Sequence, residues 1–199
     1  MPSLLCKMEH IAILASGKGS NADRLCRYFR NHPIARIRLI ACDRETAGVY
    51  EVAREHGIPS VHLSTELRRD PSALVDLLKK NDITFIVLAG YLRLIPKAVV
   101  ETYAGRIINL HPALLPKFGG KGMHGMHVHE AVHAAGESET GITVHFVNEH
   151  YDEGAVIAQF KTELDPEDTP DRIAEKIAGL EAQHFAPVVE AVIVGLKDS

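Results

Sequence analysis

The sequence contains no tryptophan, no internal repeat and no low-complexity tract. No continuous apolar run reaches the ~20 residues needed to span a bilayer, which argues against a membrane partner. Basic residues are not in excess: Lys+Arg number 22 against 26 Asp+Glu, a net charge of −4. A non-specific nucleic-acid binder would be basic, so that class needs a local patch to survive. Near the start, Leu4-Leu5-Cys6 is the only apolar stretch, too short for a secretory signal core, and Met8 supplies a second start. Residues 1–8 are therefore expected to be a tail. Cysteine is scarce. Cys6, Cys26 and Cys42 are odd in number and lack paired metal spacing, which fits reduced thiols in a cytoplasmic protein.

What is present is 199 residues, 46% hydrophobic and 24% charged, enough for one globular domain, expected over 9–195. Short apolar runs at 11–15, 37–42, 61–63, 85–89 and 107–110 read as strands, the clearest at Phe85-Ile86-Val87-Leu88-Ala89. Between them, helical spacing covers 21–31 (with an Asn at its cap), 47–56, 71–80 and 96–103. This alternation predicts an α/β fold with a doubly wound, mostly parallel sheet. After His111 the texture changes. A Pro/Gly-rich stretch leads to a helix near 126–135, two strands at 141–147 and 155–161 are expected to be antiparallel strands in the C-terminal part of the sheet, and a long helix runs from 170 to about 194. Ligands in such folds sit beyond the carboxyl ends of the strands, so the segments 16–21, 89–95, 109–122 and 148–154 are where chemistry is expected.

Ser16-Gly17-Lys18-Gly19-Ser20-Asn21 joins the first strand to the first helix, where free N–H groups and flexible glycines suit a phosphate. The same segment nearly satisfies a dinucleotide fingerprint, with Ala22 at the third glycine and Asp43 about twenty residues on. An NAD site is thus a competing reading, weakened by the lack of chain for a substrate domain. Asn109 and His111 alternate onto one face as the fifth strand leaves the core. An amide donates to a developing oxyanion and an imidazole passes a proton at neutral pH. The carboxylates Glu149, Asp152 and Glu153 follow in a loop, and one of them beside His111 would favour its imidazolium and raise its pKa.

The segment Ile108-Asn109-Leu110-His111-Pro112-Ala113-Leu114-Leu115-Pro116, with Gly141-Ile142-Thr143-Val144-His145-Phe146-Val147 and Tyr151-Asp152-Glu153-Gly154, resembles the folate-dependent formyltransferase family. Gly17-Lys18-Gly19-Ser20-Asn21 and Leu88-Ala89-Gly90-Tyr91-Leu92-Arg93 support the resemblance, which covers about 9–195 and is to the purine-synthesis members. It implies a Rossmann-like fold and direct transfer of the formyl group of 10-formyltetrahydrofolate, a co-substrate, to the amino group of glycinamide ribonucleotide. No metal is implied. By this carry-over Asn109 holds the formyl oxygen and oxyanion, His111 transfers the proton, and Asp152 tunes His111 and shuttles protons through water. Gly19, Ser20 and Asn21 hold the substrate phosphate, and Glu181 contacts the substrate. Leu92, Arg93, Leu94 and Ile95 edge the pterin through backbone groups, and Arg69, or its neighbour Arg68, reaches the folate. Lys117 and His145 are placed near the site, His145 with a packing role as the alternative. Partners are the two small molecules, with the protein a monomer or homodimer. The length also separates the chain from tRNA formyltransferases and formyltetrahydrofolate hydrolases, which carry a further domain; a sugar-nucleotide N-formyltransferase remains open.

Histidine is abundant, twelve in all, seven of them between His111 and His150. His129-Glu130-Ala131-Val132-His133 spells the zinc-protease helix motif, with Gly136 and Glu139 at the extended positions. A zinc metalloprotease is therefore the reading from a different class. All four methionines lie at or before Met126, so no downstream Met-turn accompanies the motif. In the formyltransferase reading, His129 supports the site and His133 lies on the helix surface.

Overall fold

The computed structural model describes residues 8–197; the N-terminal tail expectation, and Cys6 with it, falls almost wholly outside them. Seven strands form one mixed sheet in the order β3-β2-β1-β4-β5-β6-β7. They are β1 (Glu9–Ala15), β2 (Ala35–Cys42), β3 (Ser60–His62), β4 (Phe85–Leu88), β5 (Ile107–His111), β6 (Glu139–Phe146) and β7 (Val156–Glu163). The first five pair in parallel, while β6 runs antiparallel to β5 and to β7. The helices are α1 (Ser20–Tyr28), α2 (Val49–His56), α3 (Thr65–Arg69), α4 (Pro71–Lys80), α5 (Lys97–Thr102), α6 (Met126–Ala134) and α7 (Pro170–Lys197).

Strand alternation separates two cores. Ile11, Ile13, Phe85, Val87 and Ile108 face α1, α2, α6 and α7, whereas Ala12, Leu14, Ile86, Leu88 and Ile107 face α4 and α5. Burial on both faces explains why these strands read as continuous apolar runs. By length and composition α7 is long and apolar enough to cross a membrane. Its Ile173, Ile177, Phe185, Val189 and Ile193 nevertheless pack into the first of these cores.

One local expectation changes, and one element appears that the sequence pattern did not mark. Asn21 does not cap α1: the cap is Gly19, at φ 87°, and its backbone turn frees the Asn21 side chain for other work. Residues 65–69, between the third strand and α4, form the separate helix α3, capped by Ser64 accepting from the Leu67 N–H. The hairpin after β6 turns on Gly154, where a Cβ would collide with the carbonyl oxygen of Phe146. Gly154→Ala is therefore expected to destabilise the protein by about 3 kcal/mol, since backbone must move. Urea unfolding measures this, and a loss under about 0.5 kcal/mol would contradict the packing argument.

Candidate active site

The strand order reverses between β1 and β4, and there the loops at 16–19 and 89–96 open a crevice. The cleft measures about 470 Å³, the size of a small-molecule site. Its floor is the carboxyl end of β5. The β5–β6 register sets Asn109 opposite His145 and His111 opposite Thr143. Asp152 joins them from the β6–β7 connection, held at φ 58° with Oδ2 accepting the Gly120 N–H at 2.9 Å.

Four side chains thus converge. Asp152 Oδ2 lies 3.5 Å from His111 Nδ1, and Oδ1 lies 3.4 Å from Asn109 Nδ2 and 3.6 Å from His145 Nε2. Carbonyl oxygens fix the tautomers, because they only accept. His145 Nδ1 donates to Phe146 O at 2.8 Å, so its Nε2 accepts from Asn109 Nδ2 at 3.1 Å. His111 Nε2 donates to Phe118 O at 2.7 Å, which turns the Nδ1 lone pair toward Asp152.

The expected rise in the His111 pKa is not what the geometry produces. His111 is 3% exposed, and burial pushes its pKa below 6.5 despite the raising effect of Asp152. The ring is neutral at rest, yet built to accept a proton between Asp152 and the Phe118 carbonyl. Asp152 itself is held below the ordinary carboxylate value: burial raises it, but the rings of His145 and His111 and the Gly120 N–H outweigh that.

His129 also lines the cleft, and burial above all lowers its pKa too. A histidine depressed in the folded state is stabilising above its unfolded pKa, and that stability is lost as pH falls below about 6.5. Glu181, whose carboxyl burial pushes up, works in the opposite direction. The melting temperature of the wild type is thus expected to fall more steeply between pH 7 and 5 than that of His129→Gln. Calorimetry of the two proteins gives the comparison, and parallel curves would remove His129 from the account.

The other predicted residues distribute as follows. Asn21 and Glu181 both line the cleft and bond each other at 2.9 Å, with Arg24 3.9 Å from the carboxylate. Gly19 and Ser20 sit on the adjoining turn and do not line the cleft itself. A Cβ on Gly19 would stand 2.9 Å from Val49 Cα, so α2 backs this turn closely. Leu92, Arg93, Leu94 and Ile95 all line the cleft. Arg69 is exposed at the end of α3 and outside the lining. Arg68 is turned inward, bonding Leu63 O at 3.0 Å and acting electrostatically on cleft-lining Tyr91. It is the better placed of the two. Lys117 is not in the site: it reaches Glu137 at 2.8 Å beside a separate depression behind the 112–118 segment.

Asp43 does not await a ribose. Its side chain is fully buried and accepts from Ser16 Oγ at 2.5 Å and Arg93 Nε at 2.8 Å, which removes the acidic residue from the NAD reading. The zinc motif is divided: His129 is buried toward the cleft, Glu130 and His133 are exposed, and Glu139 pairs with Lys161 at 2.7 Å. Sequence reasoning expected chemistry in 109–122 and 148–154 but gave no role to Tyr151, whose hydroxyl accepts the Leu94 N–H at 3.1 Å, or to the individual residues of the 120–125 turn, which line the cleft. Four glycines with positive φ at 120, 122, 125 and 136 bracket that turn and α6, and glycine spacing was the available signal.

The formyl transferase family model matches residues 9–189, and the chain belongs to that family. Within it, the likeness is to phosphoribosylglycinamide formyltransferases. The Arabidopsis thaliana protein of that name, chloroplastic, is 38% identical over 192 residues, 94% of this chain. The Bacillus subtilis protein is 35% identical over 191 residues, covering 94% of this chain and 95% of its own. The crystal structure of glycinamide ribonucleotide transformylase 1 from Geobacillus kaustophilus superposes with a TM-score of 0.85 at 34% identity, over 94% of this chain and 99% of that one. The chain spans 66% and 64% of the length of two plant relatives.

Proposed function

We propose that the protein transfers the formyl group of 10-formyltetrahydrofolate to the amino group of glycinamide ribonucleotide, a step of purine synthesis. The observation that carries the reading is one carboxylate, Asp152, facing both the amide of Asn109 and the imidazole of His111 in a cleft of a formyl transferase family member.

The uncharged amine attacks the formyl carbon, its lone pair forming the new C–N bond as the carbonyl electrons move onto oxygen. Asn109 Nδ2 stabilises that oxyanion with the hydrogen otherwise given to Asp152 across 3.4 Å, the weaker of its two bonds. His111 Nδ1 takes the proton shed by the nitrogen, through Asp152 and water, because Nε2 is committed to Phe118 O. Asp152 then stabilises the imidazolium. Return of the proton to N10 lets the C–N10 bond break, so tetrahydrofolate leaves and the formyl amide remains.

The substrate phosphate lies at the turn formed by Gly19, Ser20 and Asn21, with Glu181 beside it, and the pterin lies along 92–95 with Arg68 toward the folate's acidic end. No residue of this scheme needs a metal. The placement is cytoplasmic, on the unpaired, buried Cys26 and Cys42, although the Arabidopsis relative is named chloroplastic. Incubation with both substrates, following tetrahydrofolate release, tests the proposal; transfer no faster than in His111→Ala defeats it.

A further inference from the structure

Ser16 immediately follows β1, just before the turn assigned to the substrate phosphate, and residues 90–95 follow β4 along the edge assigned to the folate. Two bonds join them directly, and a third leads from Ser16 to Asp43. Ser16 N–H donates to Gly90 O at 3.0 Å, Leu92 N–H donates to Ser16 Oγ at 3.0 Å, and Ser16 Oγ donates to Asp43 Oδ1 at 2.5 Å. Asp43 Oδ2 accepts from Arg93 Nε at 2.8 Å, closing a ring through both segments. Ser16 is 1% exposed and the Asp43 side chain 0%, so this part of the ring is shielded from water, while the Arg93 side chain is half exposed. The Ser16 hydroxyl is used twice, as donor and acceptor, which leaves it one orientation. A shift of the 16–19 turn therefore moves Gly90 and Leu92, which themselves line the cleft.

We propose that Asp43 is a positioning residue that couples the two substrate subsites: occupation of the turn after β1 firms the 90–95 segment, and occupation of that segment firms the turn. This rests on the reaction proposed above, and it assigns Asp43 a role distinct from contact with either substrate. Coupling through a shared ring is reciprocal, so each ligand tightens the other by the same factor.

The test is calorimetric titration of glycinamide ribonucleotide and of tetrahydrofolate, each alone and with the other saturating. Without a formyl group this pair cannot turn over. The wild type is expected to show mutual tightening of about 10-fold, the same in both orders. Asp43→Ala is expected to reduce the factor to below about 2-fold. Ser16→Ala cuts the same ring elsewhere and should do likewise, with the double variant no worse than either. In turnover, Asp43→Ala should raise both KM values and hold kcat within about 3-fold. Asp43→Asn, milder for folding, keeps an acceptor for Ser16 and loses the Arg93 arm, so its factor should fall between. Independent binding in the wild type, or a factor unchanged in the folded variants, overturns the proposal. If the wild type binds the ligands and couples them yet transfers no formyl group, the reaction assignment fails and the coupling stands.

Discussion

His111→Ala is expected to lower kcat for formyl transfer by about 10³-fold, within the range for loss of a positioned acid–base group. Its substrate KM values should change by less than about 3-fold, because the ring is buried beneath the cleft floor and acts on the proton in flight. The size of the effect follows from how the ring is held. Burial keeps it neutral at rest, so it is ready to accept, while Asp152 and the Phe118 carbonyl stand at both nitrogens to stabilise the charged form when it arises. Free imidazole has no such arrangement and should restore only a small part of the rate. Single-turnover measurement separates the chemical step from product release. A loss under about 10-fold would show that the proton travels by another route.

Asn109→Ala should cost about 10²–10³-fold in kcat, the usual loss for one oxyanion donor. The donor is preorganised by an unusual route. Phe146 O holds the proton of His145 on Nδ1, His145 Nε2 can then only accept, and this turns the amide of Asn109 so that its nitrogen faces inward. Asn109→Asp should be no better than alanine, since it replaces a donor with an anion beside Asp152. His145→Gln should fall between, because it disturbs the orientation and leaves the donor present. Rates for all three, with melting temperatures to confirm folding, test the order; Asn109→Asp retaining most activity would exclude the oxyanion role.

The parallel half of the sheet was legible because strands buried on both faces leave continuous apolar runs, and period-2 alternation put Asn109 and His111 together without any tertiary information. Asp152 was legible only as one of three loop carboxylates until the family resemblance chose it. His145 was ambiguous for a physical reason: its meeting with Asn109 depends on the antiparallel register across β5 and β6, which no local pattern encodes. The direction of the His111 pKa was misjudged because a carboxylate neighbour is visible in sequence and the depth of burial is not. Lys117 and Arg69 show the same limit, as segment membership does not say which way a side chain turns. Asp43 looked like the acid of a dinucleotide site, having the right distance from the glycines, and only the neighbouring Ser16 and Arg93 reveal its employment.

The seam between the parallel and antiparallel halves of the sheet has a consequence for how the site is put together. Along the chain the turn after β1, the 90–95 segment, Asn109 and His111 come first, while His145 and Asp152 belong to the later β6–β7 hairpin. The first 125 residues hold the turn after β1 and the 90–95 segment but neither Glu181 nor the groups that orient the amide or stabilise the imidazolium. In the proposed mechanism the catalyst is armed only where the two halves of the sheet meet, because Asn109 and His111 lie on β5 while His145 lies on β6 and Asp152 in the loop after it.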